Sequence, residues 1–85
     1  MISCQLALYP LATKDFESVI TKSLQALMPL ESEGLTIEVG SMSTVIKGNE
    51  KLVWKAIQTL YTYSTNEGQK IVLNASFSNE CGCDV

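Results

Sequence analysis

The chain has 85 residues, which is enough for one small domain, and its hydrophobic fraction of 46% is too high for a disordered segment. Its net charge is −3, its six basic residues are all lysines, and it has no histidine. These absences exclude histidine-based catalytic triads, the usual zinc sites, arginine-lined phosphate sites and a basic surface for nucleic acid. Because no apolar run reaches membrane-spanning length and no basic signal region opens the chain, we expect a single cytoplasmic domain over residues 1–85.

The first strand and the first helix are predicted within residues 2–28. Ile2 to Tyr9 alternates between apolar and mixed side chains, which predicts a strand that stops at Pro10. A helix is predicted from Asp15 to Met28, with Thr13 or Asp15 as its N-terminal cap. The apolar stripe of this helix is Phe16, Val19, Ile20, Leu24 and Leu27.

The middle of the chain predicts a hairpin. Residues 31–34 read as a polar loop, and the alternation from Leu35 to Val39 predicts the second strand. Gly40-Ser41 fits a two-residue turn with glycine first, and the third strand is predicted from Met42 to Lys47.

A second helix and a last strand complete the pattern. The helix is predicted from Asn49, a favourable capping residue, to Thr65, and the strand from Lys70 to Ser78. The apolar stripe of the second helix is Val53, Ala56, Ile57, Leu60 and Tyr61. The order βαββαβ predicts an α+β ferredoxin-like sandwich, with both helices on one face of a four-stranded antiparallel sheet.

The other face of this sheet is predicted to be open and almost uncharged, with Glu38 as its one ionisable residue. Its members are Gln5, Ala7, Tyr9, Thr36, Glu38, Val72, Asn74 and Ser76. A solvated sheet face normally carries more charge, so we expect a second copy to cover it in a homodimer or tetramer.

The polar residues indicate binding rather than catalysis. No serine or threonine has a histidine base, so we expect a protein that is not an enzyme and that needs no cofactor and no metal. Cys81 and Cys83 supply half of a zinc site and leave a metal or redox protein as a distant alternative. Ser23 and Thr44 interrupt apolar faces, where a small polar side chain is either satisfied by nearby backbone or lines a ligand cavity.

Four segments along the chain together resemble a known family. They are Leu8-Tyr9-Pro10-Leu11, Asp15-Phe16 followed by Val19-Ile20, the strand Ser43 to Gly48, and the strand Ile71 to Ser78. In this order they resemble the YkoF-like thiamine/hydroxymethylpyrimidine-binding family in a single-domain form. The resemblance implies a ferredoxin-like domain that pairs with a second copy and binds thiamine or its hydroxymethylpyrimidine precursor, without catalysis, in vitamin supply or transport.

The resemblance also implies four ligand-binding residues. Ser43 and Thr44 match the third-strand segment that lines the family's pocket. Tyr9 matches an aromatic residue at the end of the first strand, and Asn74 matches an amide on the fourth. Hydroxyl and amide groups suit the edge of an aminopyrimidine, which offers one exocyclic donor and two ring acceptors.

The residues themselves add three candidates. Ser23 is a polar group within an apolar stripe, and Glu38 is a countercharge for the thiazolium cation of thiamine. Trp54 either offers an aromatic face to that cation or packs beneath the second helix, and we favour the packing.

One other class of function stays open. The domain is alternatively a structural or regulatory interaction module that oligomerises through its open sheet face without a small-molecule ligand. Its distinguishing sign is an interior that has no cavity of ligand size.

Overall fold

The computed structural model describes residues 1–11, 15–40 and 43–79, apart from the side chains of Phe16 and Glu67. The predictions for Thr13, Ser41, Met42, Cys81 and Cys83 therefore lie outside the described residues. The elements, in chain order, are β1 (Ile2–Pro10), α1 (Phe16–Gln25), a 3₁₀ helix (Met28–Glu33), β2 (Thr36–Val39), β3 (Thr44–Gly48), α2 (Glu50–Ser64), a 3₁₀ turn (Asn66–Gly68) and β4 (Ile71–Ser78).

The predicted ferredoxin-like architecture is confirmed. The four strands form one antiparallel sheet in the order β2-β3-β1-β4, so the long β1 pairs with both β3 and β4. Alternate strand residues and the two helices enclose one core on one side of the sheet. Its buried members are Cys4, Leu6, Leu8, Leu27, Leu30, Leu35, Ile46, Leu52, Val53, Ala56 and Leu60.

The first helix ends earlier than the sequence indicates. It stops at Gln25 rather than Met28, and its last turn tightens as the Leu27 amide donates to the Leu24 carbonyl at 3.0 Å. Pro29 then lies in the first turn of a 3₁₀ helix, where a backbone N–H would have no acceptor within the helix, so the N–H that proline lacks is not needed. The segment predicted as a loop is thus mostly 3₁₀ helix, anchored in the core by Leu30.

Glycine is required at the end of this 3₁₀ helix and at the β2–β3 hairpin. Gly34 has a φ of 110°, which side-chain-bearing residues rarely adopt. At Gly40 an added Cβ would lie 2.9 Å from the Ser43 carbonyl oxygen, to which the Gly40 amide donates at 2.8 Å. The Gly40–Ser43 bond therefore closes the hairpin, and Val39 pairs with Thr44, so the prediction that Gly40 is the first residue of a two-residue turn is wrong.

The second helix forms nearly as predicted. The Asn49 side chain accepts a hydrogen bond from the Leu52 amide at 2.8 Å, which confirms the predicted cap. The predicted stripe is wrong at Tyr61, which is 53% exposed because it lies on the border of the apolar face. Leu52 and Ser64 are buried instead.

The predicted open face is also confirmed in its membership. Cross-strand pairing joins its residues to one another, as in Ala7 with Asn74, Tyr9 with Val72, and Gln5 with Ser76. The prediction of a single charge is wrong, because Lys47 lies opposite Thr36 on the same face as Glu38. The alternation of the third strand is consistent with this position, since Lys47 follows the buried Ile46 and therefore faces the other side of the sheet.

Candidate functional site

The sheet divides the six predicted ligand-binding residues between its two sides. Ser23 and Thr44 lie on the helix-covered side, and both are buried. Tyr9, Asn74 and Glu38 lie on the open face, and all three are exposed. Within one chain, therefore, the predicted hydroxyls and the predicted amide do not surround a single cavity.

Thr44 lines a small pocket between the sheet and α1, which we call the hairpin pocket. It has a volume of about 120 Å³ and lies beside the β2–β3 hairpin. Its lining is mostly apolar, with Leu6, Ala7, Leu8, Ile20, Leu24, Val39, Gly40, Ser43, Thr44 and Leu60 around it. The apolar wall residues were not predicted as site residues, because the alternation of Leu6 and Leu8 is identical to that of an ordinary core strand.

The polar groups of the hairpin pocket come from the start of β3. Thr44 is 6% exposed and shares its side of the sheet with Ile46. The Ser43 hydroxyl accepts a hydrogen bond from Gln5 Nε2 at 3.1 Å. Because Gln5 belongs to the open face, this bond directs the Ser43 side chain toward that face. Thr44 therefore supplies the side-chain hydroxyl of the pocket.

Ser23 lies at a different depression, a cleft between α1 and the end of α2. The cleft has a volume of about 410 Å³ and is lined by Asp15, Ser18, Val19, Lys22, Ser23, Tyr63, Ser64, Asn66 and Gln69. Ser23 is 0% exposed, and within the part of the chain that the structure describes its Oγ has no hydrogen-bond partner. Because the Ser23 hydroxyl is fully buried, a molecule in the cleft does not contact it in this arrangement of the helices, and a role of Ser23 in ligand binding stays a prediction.

The open-face residues form a looser group. Tyr9 is 50% exposed and pairs with Val72, and Asn74 lies two positions further along β4, where it pairs with Ala7. Diagonal neighbours of this kind are roughly 7–8 Å apart, so an aromatic and an amide side chain can contact the same partner. Glu38 is on the edge strand β2, two strands away from β1.

Trp54 is more exposed than expected. It packs against the sheet by stacking on Phe77 of β4, with ring centroids 4.6 Å apart, but it stays 48% exposed. Cys4, in contrast, is buried in the core, and burial raises the pKa of its thiol above the usual value. A raised pKa disfavours the thiolate, which is the form of cysteine that acts as a nucleophile.

Two findings bear on the broad class of the protein. Among the residues that the structure describes, no helix has the length and apolar character needed to span a bilayer. The ferredoxin-like sandwich, with a ring-sized apolar pocket under one helix, defines a small α+β domain with a candidate ligand-binding site.

The family is shown by sequence comparison. Residues 1–84 match the model of the YKOF-related family, and the chain belongs to that family. A relative from Bacillus subtilis (strain 168), YkoF, is 34% identical over 80 residues and carries a provisional name as an HMP/thiamine-binding protein. The match covers 94% of this chain but only 38% of that protein.

Solved structures support the fold. A Thermotoga maritima protein provisionally assigned to thiamine biosynthesis or salvage is 20% identical, with a TM-score of 0.75 over 95% of this chain and 85% of that one. A Streptococcus pneumoniae protein is 19% identical, with a TM-score of 0.79 over 93% of this chain and 86% of that one.

Proposed function

We propose that the protein binds hydroxymethylpyrimidine, or the pyrimidine ring of thiamine, in the hairpin pocket without catalysing a reaction. The observation that carries this proposal is the pocket itself, an apolar space between α1 and the sheet with the buried Thr44 in its wall. Small-molecule sites combine such apolar walls with a few placed polar groups. The name of the Bacillus subtilis relative supports the choice of ligand.

The size of the pocket favours one ring. An apolar protein cavity of about 150 Å³ holds a benzene molecule, and the hairpin pocket has about 120 Å³. A pyrimidine ring therefore fills it, and ring substituents extend past the exposed Val39 at the hairpin. The thiazolium ring of thiamine lies outside the pocket in this proposal.

The direct test is calorimetric titration of the protein with hydroxymethylpyrimidine and with thiamine. We expect saturable heat with both, since both carry the pyrimidine. In Thr44→Val the shape of the side chain is kept while one buried hydrogen bond to the ligand is lost. Such a loss costs about 1–3 kcal/mol, which weakens binding by roughly 5- to 150-fold.

Two further variants locate the ligand. Thr36→Val makes the same chemical change on the exposed strand β2 and should bind as the unmodified protein does. Asn74→Leu changes the open face and should also leave binding unchanged. Loss of binding in Asn74→Leu together with normal binding in Thr44→Val would move the ligand to the open face and contradict the hairpin pocket.

We also propose that the open face is covered by a second copy of the chain. In support, the face has few charges, and the Bacillus subtilis relative is long enough to contain two units of this size because the match spans 38% of it. A homodimer, or a tetramer built from it, would then bury Ala7 and Val45, which are already half-buried.

An interaction module without a ligand is the second candidate function. It is favoured by the modest size of the hairpin pocket, and absence of binding heat at millimolar ligand would support it. The cytoplasmic location and the role in vitamin supply or transport stay predictions from the sequence.

A further inference from the structure

A stacked aromatic pair lies at the end of the molecule opposite the hairpin pocket. Trp54 of α2 and Phe77 of β4 stack at 4.6 Å between ring centroids, with an angle of 27° between the ring planes. Although each ring covers one face of the other, the side chains remain 48% and 43% exposed. Each ring therefore keeps surface that an additional flat group can contact.

The pair borders a shallow hollow of about 570 Å³. Its lining consists of Ile2, Glu50, Trp54, Phe77, Ser78 and Asn79. Among the described residues of this lining, Glu50 is the one ionisable side chain. Glu50 and Trp54 are four positions apart on α2, so the carboxylate lies one helical turn from the indole on the same side of the helix.

Two lysines of this helix are close to the hollow in sequence, and neither is among the residues that line it. Lys51 follows Glu50 directly, and Lys55 pairs with Glu33, with 3.4 Å between Nζ and Oε1. The chain as a whole carries a net charge of −3. The ionisable side chain that lines the hollow and the net charge of the chain are thus both negative, which favours a positively charged ligand.

We propose that this hollow binds a small, flat aromatic cation, which stacks on Trp54 and Phe77 and pairs its charge with Glu50. An aromatic face attracts a cation through its quadrupole, and tryptophan does so most strongly. An apolar protein partner is a poorer occupant, because it would bury the Glu50 carboxylate in a hollow whose described lining has no basic side chain. The hollow adjoins Ile2, whereas the hairpin pocket adjoins Leu6 and Leu8, so the two sites are independent.

The single tryptophan of the chain makes a sharp test possible. Its indole N–H gives one cross-peak in a ¹H–¹⁵N correlation spectrum, which we would follow while titrating N-methylpyridinium. We expect a saturable shift with a dissociation constant in the millimolar range. Benzyl alcohol, a neutral aromatic probe, should produce a clearly smaller shift at the same concentration.

Charge-neutralising variants test whether the cation binds at this hollow or is attracted only by the net negative charge of the protein. Glu50→Gln should weaken N-methylpyridinium binding by about two- to fivefold, as expected for an exposed ion pair. Glu17→Gln removes the same charge from the first turn of α1, away from the hollow, and should titrate as the unmodified protein does. Thr44→Val should also leave this titration unchanged, whatever its effect on pyrimidine binding.

Three results would overturn the proposal. The first is a linear shift without saturation, and the second is equal binding by Glu50→Gln and Glu17→Gln. The third is an indole shift that follows protein concentration rather than the cation, which would assign the hollow to contact between copies of the chain.

Discussion

Two buried serines on the helices differ in how their hydroxyls are satisfied. Ser64 Oγ donates to the Tyr61 carbonyl at 3.1 Å, which is the common solution for a serine inside a helix. Ser23 has the same helical surroundings, yet its Oγ has no partner within the described residues. Leaving a buried hydroxyl unpaired costs free energy, so Ser23 is a local weakness in the packing of α1.

Replacing Ser23 by alanine should therefore stabilise the protein. We expect Ser23→Ala to raise the free energy of unfolding by about 1–3 kcal/mol, because the unpaired hydroxyl no longer has to be desolvated. Urea denaturation followed by circular dichroism measures this change. Ser18→Ala, on the same helix and more exposed, corrects for the helix propensity of alanine. A loss of stability in Ser23→Ala relative to Ser18→Ala would mean that the hydroxyl makes a favourable bond.

The helices show which local signals could be read from the sequence. Asn49 was predicted as a cap and makes the capping bond, whereas Asp15 occupies the cap position of α1 without making a side-chain capping hydrogen bond. Capping residues identify where a helix begins. Whether the capping side chain accepts a hydrogen bond from the first turn depends on the direction in which the preceding backbone enters the helix. The early end of α1 at Gln25 could not be predicted, because it depends on anchoring Leu30 in a core that tertiary packing creates.

The cap of α2 is a measurable part of the stability. Asn49→Ala removes the acceptor for the Leu52 amide and should lower the free energy of unfolding by about 1 kcal/mol. Chemical denaturation measures the difference, with Gln58→Ala on the exposed side of the same helix as the matched control. Equal stability of the two variants would mean that the capping bond contributes nothing.

The strands show which features the alternation of apolar and polar residues can predict. It assigned every predicted open-face residue to the correct side, because a period of two admits only two faces. It also placed Asn74 on the open face and Thr44 on an apolar face, so the grouping of these two residues in one site came from the family resemblance and not from the alternation. Whether residues of different strands share a site depends on the strand register and on the strand order, which here places β1 between β3 and β4. Neither of these follows from the residue pattern of a single strand.

At the level of the whole molecule, the two sides of the sheet have different proposed tasks. The helix-covered side contains the hairpin pocket, and the open side is nearly free of charge except for Glu38 and Lys47. A surface of this composition is suited to a symmetric contact with a second copy, in which the same patch serves both partners. Ligand binding and self-association would then use separate surfaces.

Self-association can be disrupted by a charge at the centre of the open face. Ala7 lies on β1, between β3 and β4, so Ala7→Lys would place an ammonium group inside the proposed dimer interface. We expect the unmodified protein to sediment as a dimer or larger species and Ala7→Lys to sediment as a monomer. Gln25→Lys, exposed at the end of α1, should behave as the unmodified protein does. A monomeric unmodified protein at high concentration would contradict the proposed interface.

The central claim is that a pyrimidine ring binds between α1 and the sheet beside Thr44. A crystal structure of the protein soaked with hydroxymethylpyrimidine tests it most directly. We expect density for the ring inside the hairpin pocket, within hydrogen-bond distance of the Thr44 hydroxyl. Density for the ring beside Tyr9 and Asn74 on the open face, or in the cleft between α1 and α2, would contradict the claim.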